Sequence, residues 1–291
     1  MLLQAESISK FVEPCTHVII INEDKPDIEF WKSWLEPYYR NHSLIIIPRI
    51  KYNFPTSNLG TINKDGSIDS ISNGWRTQQL QKLLLAYEFD GDYLLLDSKN
   101  FFTKKTNIKE WENIIGAGVP FKYGQLDKLG NPTFFTPTCD SYNSVLEIQT
   151  DTYLAPETPF KIKKNPLVQQ CKRSELGYLL FHPEFTGKIA SEFIFYSYFV
   201  QDEAKELVNS YDYYASKHSI VWADNRLEIG NFLINISMSP IIKVAGFHRE
   251  ILSQINKNEL KLINFWLATD TPKFGLGLEN KIYPMPRDSH V

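Results

Sequence analysis

The sequence has little cysteine, no long apolar run and no excess of either charge, and each shortage removes a class of protein. Its three cysteines, Cys15, Cys139 and Cys171, are odd in number, far apart and without a C-x-x-C spacing. That argues against a disulfide framework and against a structural zinc site, and it fits a reducing cytoplasm. The apolar stretches at 17–21 and 43–47 fall far short of the ~20 residues that cross a bilayer. The opening MLLQAESISK carries acid early and lacks the apolar core of a signal peptide. A soluble, cytoplasmic protein without a membrane span is expected. With 31 basic and 34 acidic side chains the net charge is −3, which gives no reason to expect a generally basic, nucleic-acid-coating surface. No repeat or linker divides the chain, and no bias points to disorder, collagen or a coiled coil.

What is abundant is aromatic. Six Trp, fifteen Tyr and nineteen Phe make up 14% of 291 residues, enough for a large core and also for surfaces that stack on flat ligands or sugars. Composition does not choose between these uses. The length suits one large domain with a substantial core.

The first hundred residues alternate strand-like and helix-like patterns. Residues 18–21, 44–47 and 93–96 are compact apolar runs. Between the first two, Ile28, Trp31, Leu35 and Tyr38 recur at helical spacing, behind Pro26 in a good position for a first turn. An Asn-, Ser-, Gly- and Lys-rich loop at 51–73 precedes a strong helix over 75–87. Continuous apolar strands joined by helices predict an α/β fold, a mostly parallel sheet flanked by helices. Further strands are expected at 114–119, 134–135, 178–181, 219–222 and 241–244, with helices over 190–208 and 250–267. One domain spanning 1–291, with an elaborated C-terminal half, accounts for this pattern.

In open parallel sheets ligands bind beyond the carboxyl ends of the strands. That rule selects Asn22-Glu23-Asp24, Pro48-Arg49 and Asp97-Ser98-Lys99-Asn100. Asp97 ends a buried strand and is followed by three polar residues, an oxygen-rich setting that suits Mg²⁺ or Mn²⁺. The same residues are also ordinary turn formers. On the preceding helix, Leu80, Leu83, Leu84 and Tyr87 form the core stripe, while Trp75, Gln78 and Lys82 fall opposite, with Gln79 at the border. Such a face offers amide donors and acceptors, a phosphate partner and a flat ring; the alternative is a helix buried on both faces, with Lys82 reaching outward.

Glu192 shares a helical face with Phe195, Tyr196 and Phe199. Desolvation by those rings would raise its pKa and suit a general base, whereas a first-turn carboxylate serves the helix dipole; chemistry alone slightly favours the structural role. His248, His182 and Asp224 each follow an expected strand, where a lone residue is a weak signal. Lys161, Lys163, Lys164, Lys172 and Arg173 form an acid-free basic run, either a solvated face or a phosphate-reading patch.

Asn73-Gly-Trp-Arg-Thr-Gln-Gln-Leu-Gln-Lys-Leu83, then Tyr93-Leu-Leu-Leu-Asp-Ser-Lys, then Ser191-Glu192…Tyr196 resemble the pattern G-W-x-x-Q-Q-x-x-K-L, Y-L-x-L-D-[SA]-[DK], S-E-x-x-x-Y of a functionally uncharacterised bacterial and phage family. The match covers about the middle 125 residues. That family resembles glycosyltransferases of the GT-A fold, in which a nucleotide-sugar binds at the strand ends and an Asp-x-Asp motif holds Mn²⁺ or Mg²⁺. The resemblance implies a nucleotide-sugar-binding half at 1–125 and an acceptor-side half at 126–291. Asn22 and Glu23 would lie near the nucleoside, with Arg49, Trp75 and Ser98 also on the donor side. Gln78, Gln79 and Lys82 would face ribose or phosphate, and Glu192 would be the acceptor-side base. Asp97 would be the surviving motif acid, with Asn100 and His248 as further metal ligands. The motif's third position is Lys99 instead of Asp. Either another residue completes a metal site, or the Lys99 ammonium neutralises the leaving diphosphate without metal, or binding survives without catalysis.

The expectation is a glycosyltransferase moving a sugar from a nucleotide-sugar to an acceptor hydroxyl, on a glycan, a protein or a modified DNA base. With Glu192 as base, inversion is the simpler stereochemistry. The alternative is a non-catalytic nucleotide-sugar or glycan binding protein on the same fold.

Overall fold

The computed structural model describes residues 1–23, 25–53, 61–62, 68–69, 72–98, 100–107, 120–122, 132–150, 152–154, 158, 160–188, 190–202, 218–221, 229–238, 243–247, 254–259, 261 and 263. Expectations for Lys99, Asp24, Asp224, His248 and residues 114–119 lie outside these.

The chain opens with a helix that the sequence patterns did not reveal, α1 (Leu2–Phe11). Its Ala5 and Ile8 bury against Leu35, Tyr39, Phe102 and Val244. Next come β1 (Thr16–Ile21), α2 (Ile28–Leu35) and β2 (Ser43–Pro48), a right-sized β-α-β unit whose strands pair parallel from Thr16↔Ser43 to Ile21↔Pro48. Asp27, not Pro26, begins α2: its carboxylate accepts from Phe30 N at 2.9 Å.

After a two-residue ladder of β3 (Thr61–Ile62) and β4 (Ile68–Asp69) comes the long helix α3 (Ser72–Glu88), with Leu80, Leu83 and Leu84 fully buried as the stripe predicted. The third expected strand is present as β5 (Tyr93–Leu95). Its partner is unexpected, since it runs antiparallel to β9 (Phe160–Ile162), inside the basic run. Five residues after Leu95 the chain enters a different sheet as β6 (Asn100–Phe102), antiparallel to β11 (Val244–Phe247), which pairs parallel with β10 (His218–Val221). Strands β7 (Pro120–Lys122) and β8 (Thr152–Leu154) form another antiparallel pair. The architecture is mixed α/β with small sheets; among the described strand pairs, two are parallel and four antiparallel.

Several C-terminal assignments change. Residues 134–135 lie in α4 (Pro132–Leu146), which buries Cys139 and Tyr142 in the core. Residues 178–180 belong to the end of α6 (Arg173–Leu180), which is capped by Phe181 and follows α5 (Lys164–Gln170). A four-residue apolar run fits a strand and a helix equally well, and here Leu176 and Leu180, one helical turn apart, settle it by burial. The helix expected over 190–208 is interrupted: α7 (Glu192–Ser197) ends, helical backbone resumes at 201–202, and 203–208 lie outside the described residues. Ser197 Oγ donates back to Phe193 O at 2.8 Å, and the next three amides bond three residues back, a tightened turn that ends the α-helix. The late strand expected at 241–244 is displaced to Val244–Phe247, after α8 (Ile229–Met238).

Among the described residues, many of the aromatic side chains build the core. Tyr142 packs on Phe185, Phe195 and Tyr198, Tyr198 on Tyr153, and Phe160 on Phe193 and Tyr196, with centroids 4.4 to 6.0 Å apart. Among the described residues no helix is long and apolar enough to cross a membrane.

Candidate functional site

Asp97 lies in the short segment where the chain leaves the β5 sheet and enters the β6 sheet, so neighbouring strands diverge around it. The turn is tightly held. Asn100 N donates to Asp97 O at 2.9 Å, Asp97 N donates to Asn100 Oδ1 at 2.8 Å, and Asn100 Nδ2 donates to Thr158 O at 3.2 Å. From α1, Gln4 Nε2 donates to Asp97 O at 2.8 Å. These bonds fix the Asp97 backbone and leave its carboxylate to the site.

That carboxylate meets α3. Lys82 Nζ lies 2.9 Å from Asp97 Oδ1 and 2.8 Å from Glu192 Oε1, at the start of α7. It also lies 5.2 Å from the centre of the Phe193 ring. Lys82 therefore turns inward, not out to solvent, and joins three segments up to 110 residues apart. The Glu192 side chain is 1% exposed, that of Lys82 14% and that of Asp97 24%, so the cluster is most open on the Asp97 side. In the amide orientation that matches donors to acceptors, Gln79 donates to the Glu192 carboxylate and accepts from Trp75 Nε1 at 3.0 Å. Trp75 is 37% exposed, and Gln78 faces solvent.

Burial pushes the Glu192 carboxyl up; Lys82 pulls it back and Asp97 adds to the rise, leaving it above the usual range. Burial works against the Lys82 ammonium, but Glu192 and then Asp97 outweigh it and hold Lys82 above the ordinary lysine value. The ammonium is the stable member. Glu192 is a buried, bonded partner and presents no open carboxylate to an acceptor.

A metal site at Asp97 does not fit these residues. One Asp97 oxygen is taken by Lys82, the other accepts from Thr158 Oγ1 at 3.3 Å, and Asn100 turns its amide to backbone groups. A hard divalent cation needs several converging oxygens, and here an ammonium sits where the cation would.

Asn22 and Arg49, at the carboxyl ends of β1 and β2, do come together: Arg49 Nε donates to Asn22 Oδ1 and Nη2 to Asn22 O, both at 3.0 Å. Glu23 and Ser98 are exposed in their turns. The link from Arg49 to the Lys82 cluster is a residue the sequence patterns passed over. Gln81, buried next to Lys82, accepts from Ile50 N at 2.6 Å and donates to Ile50 O at 3.1 Å, docking the end of β2 on α3. Arg76, also missed, is fully buried and donates to the carbonyls of Leu180, Phe185 and Lys188 at 2.7 to 2.9 Å, with burial lowering its pKa to about 10. The signal for Arg76 was a cation on the apolar stripe, one turn before Leu80, whereas Gln81 lies at the border of that stripe, where the pattern carries no signal.

Other candidates resolve into structure. His182 caps a short turn, its Nδ1 accepting from Glu184 N at 3.2 Å. Tyr196 is buried and its hydroxyl accepts from Lys163 N at 2.8 Å. In the basic run, Lys164 pairs with Asp90 at 2.8 Å, Arg173 with Glu88 at 2.9 Å, Lys161 with Asp92 and Lys172 with Glu175 at 3.7 Å. That is a solvated ion-pair face more than a phosphate-reading patch.

At the opposite, amino end of β1 and β2, the structure gathers Cys15, His17 and His42, a cluster that cysteine spacing alone had set aside. Comparison with known proteins found no matching family model, no matching curated sequence and no matching solved structure.

Proposed function

We propose that the chain is a glycosyltransferase of GT-A-like architecture that takes its sugar from a nucleotide-sugar donor. The observation that carries this reading is the convergence on Lys82 of the three segments that carry the family resemblance: α3, the Asp97 turn and the start of α7. Asp97 supplies the half-open edge. Trp75 and Gln78 on the same helix, and the Asn22–Arg49 pair docked through Gln81, extend that edge toward a base, ribose and diphosphate. In this reading Lys82 provides the positive charge beside the diphosphate, so the reaction runs without a divalent cation at Asp97. Glu192 is a positioning residue that aims Lys82, and the acceptor is a glycan or protein hydroxyl.

Burial of Glu192 favours a second reading, binding of the same donor or of a glycan without turnover. It requires no opening of the Lys82–Glu192 pair. Calorimetry with a panel of nucleotide-sugars, with and without Mn²⁺, tests both. Binding that is independent of Mn²⁺ and lost in Asp97→Ala supports the shared site; binding by none of the panel overturns it. Donor hydrolysis or transfer, abolished in Asp97→Ala, then selects the enzyme, and its absence selects the binding protein.

A further inference from the structure

The amino end of the β1–β2 pair holds three side chains whose ligand atoms face one another. Cys15 and His17 are two residues apart at the entry to β1 and so project to the same side of the strand. The parallel register pairs Thr16 with Ser43, which places His42 beside Cys15, and Ser43 N donates to Cys15 O at 3.1 Å. His42 reaches this place through a turn in which Asn41 takes φ 62°, a left-handed conformation that Asn tolerates better than most residues.

Cys15 Sγ lies 3.3 Å from His17 Nε2 and 3.9 Å from His42 Nδ1, and the two ring nitrogens are 3.0 Å apart. Bond lengths of about 2.3 Å to sulfur and 2.0–2.1 Å to nitrogen, at tetrahedral angles, require S···N of about 3.6 Å and N···N of about 3.3 Å. The observed triangle matches those edges to a few tenths of an ångström. A hydrogen-bonded ring of neutral side chains has similar edges, so the distances alone do not decide. Two further features favour an ion. Each His ring has a partner that holds its plane: His42 has a backbone hydrogen bond to Ile8 of α1, and its Nδ1 accepts from Cys15 N at 3.3 Å, a bond that an ion would displace, while the Tyr39 ring packs on His17 at 5.2 Å between centroids. All three residues are also only partly buried, so the cluster is open to an incoming ion and to a water in a fourth position.

We propose that Cys15, His17 and His42 form a binding site for a Zn²⁺-class transition-metal ion, with one thiolate and two imidazole ligands and the fourth position open to solvent. One thiolate with two imidazoles is a softer donor set than Mg²⁺ or Ca²⁺ takes. Binding displaces the Cys15 thiol proton to solvent as the metal–sulfur bond forms, one proton per ion. The site lies at the end of the strand pair opposite Asn22 and Arg49, so it stands independently of the proposed sugar chemistry.

The test is a titration of the metal-stripped full chain with Co²⁺ and then Zn²⁺. One equivalent of Co²⁺ should give tetrahedral d–d bands with a thiolate charge-transfer band, and Zn²⁺ should bleach both. Cys15→Ser should remove the charge-transfer band, and His42→Ala should weaken Co²⁺ binding by at least about tenfold. Circular dichroism of both variants without metal should match the parent. X-ray absorption at the zinc edge of the unsubstituted chain provides the readout if either variant does not fold, with one sulfur and two imidazole nitrogens expected. Absence of Co²⁺ absorption, a charge-transfer band that survives Cys15→Ser, or a zinc shell without sulfur would each overturn the site.

Discussion

Around Lys82 the fold has taken charge into its interior, and around Cys15 it has kept neutral donors near the surface. The first cluster holds one ammonium and two carboxylates from three distant segments, with Glu192 almost wholly enclosed. The second holds a thiol and two imidazoles from two adjacent strands, all partly open. A buried ion cluster is costly to assemble and more costly to break, so its members hold one another in place. A partly exposed neutral cluster tolerates the loss of a member but can gain a great deal from a ligand. The same number of polar side chains therefore serves tertiary specificity in one place and reception of an ion in the other.

Lys82→Met should show the contrast most strongly. It leaves Glu192 and Asp97 facing each other without a cation, and urea unfolding should report a loss of about 3–5 kcal/mol. Adding Glu192→Gln to that variant should recover a large part of the loss, because the pair is coupled; simple additivity of the two changes would break the description of the cluster.

The next effect is in pH dependence. Folded Glu192 holds its proton more firmly than the unfolded chain does. Its contribution is therefore fully present below the unfolded value of about 4.3 and is lost as pH rises through the raised folded value. The stability difference between the parent and Glu192→Gln should decline over that window, and a flat difference would mean that Glu192 is ionised throughout.

Trp75→Phe removes the indole donor to Gln79 at a partly exposed position and should cost about 1 kcal/mol. A loss several times larger in chemical unfolding would place Trp75 in the core rather than at the edge of the site. Smallest of all, His42→Ala in the absence of metal should change stability by about 0.5 kcal/mol. A loss as large as that of Lys82→Met would erase the distinction between the clusters.

The two clusters also differ in how far sequence could reveal them. The α3 stripe at Leu80, Leu83 and Leu84 and the polar strand end at Asp97 were legible because periodicity and a strand boundary are local properties. Gln79, Lys82, Asp97 and Glu192 were each singled out, but their mutual contact was not, since nothing local says that α7 reaches α3. The Cys15–His17–His42 cluster was hidden because its members belong to separate strands and only the parallel register brings residue 42 beside residue 15. Residues 178–181 and 134–135 were misread for a related reason, as short apolar runs do not carry their own period. The break after Ser197 depends on a side-chain bond to Phe193 O that a hydrophobic pattern does not register.

By itself, then, the sequence determined the β1–α2–β2 unit, the long α3 helix, the strand leading to Asp97 and the aromatic supply of the core. These rest on side-chain period, chain stiffness and local capping, all set within a few turns of chain. Tertiary structure decided which strand pairs with β5, that Lys82 points inward, and that Glu192 is enclosed. It also decided that a thiol and two imidazoles meet at one point. Those outcomes depend on contacts between residues far apart in the chain, where burial and electrostatic pairing outweigh local preference.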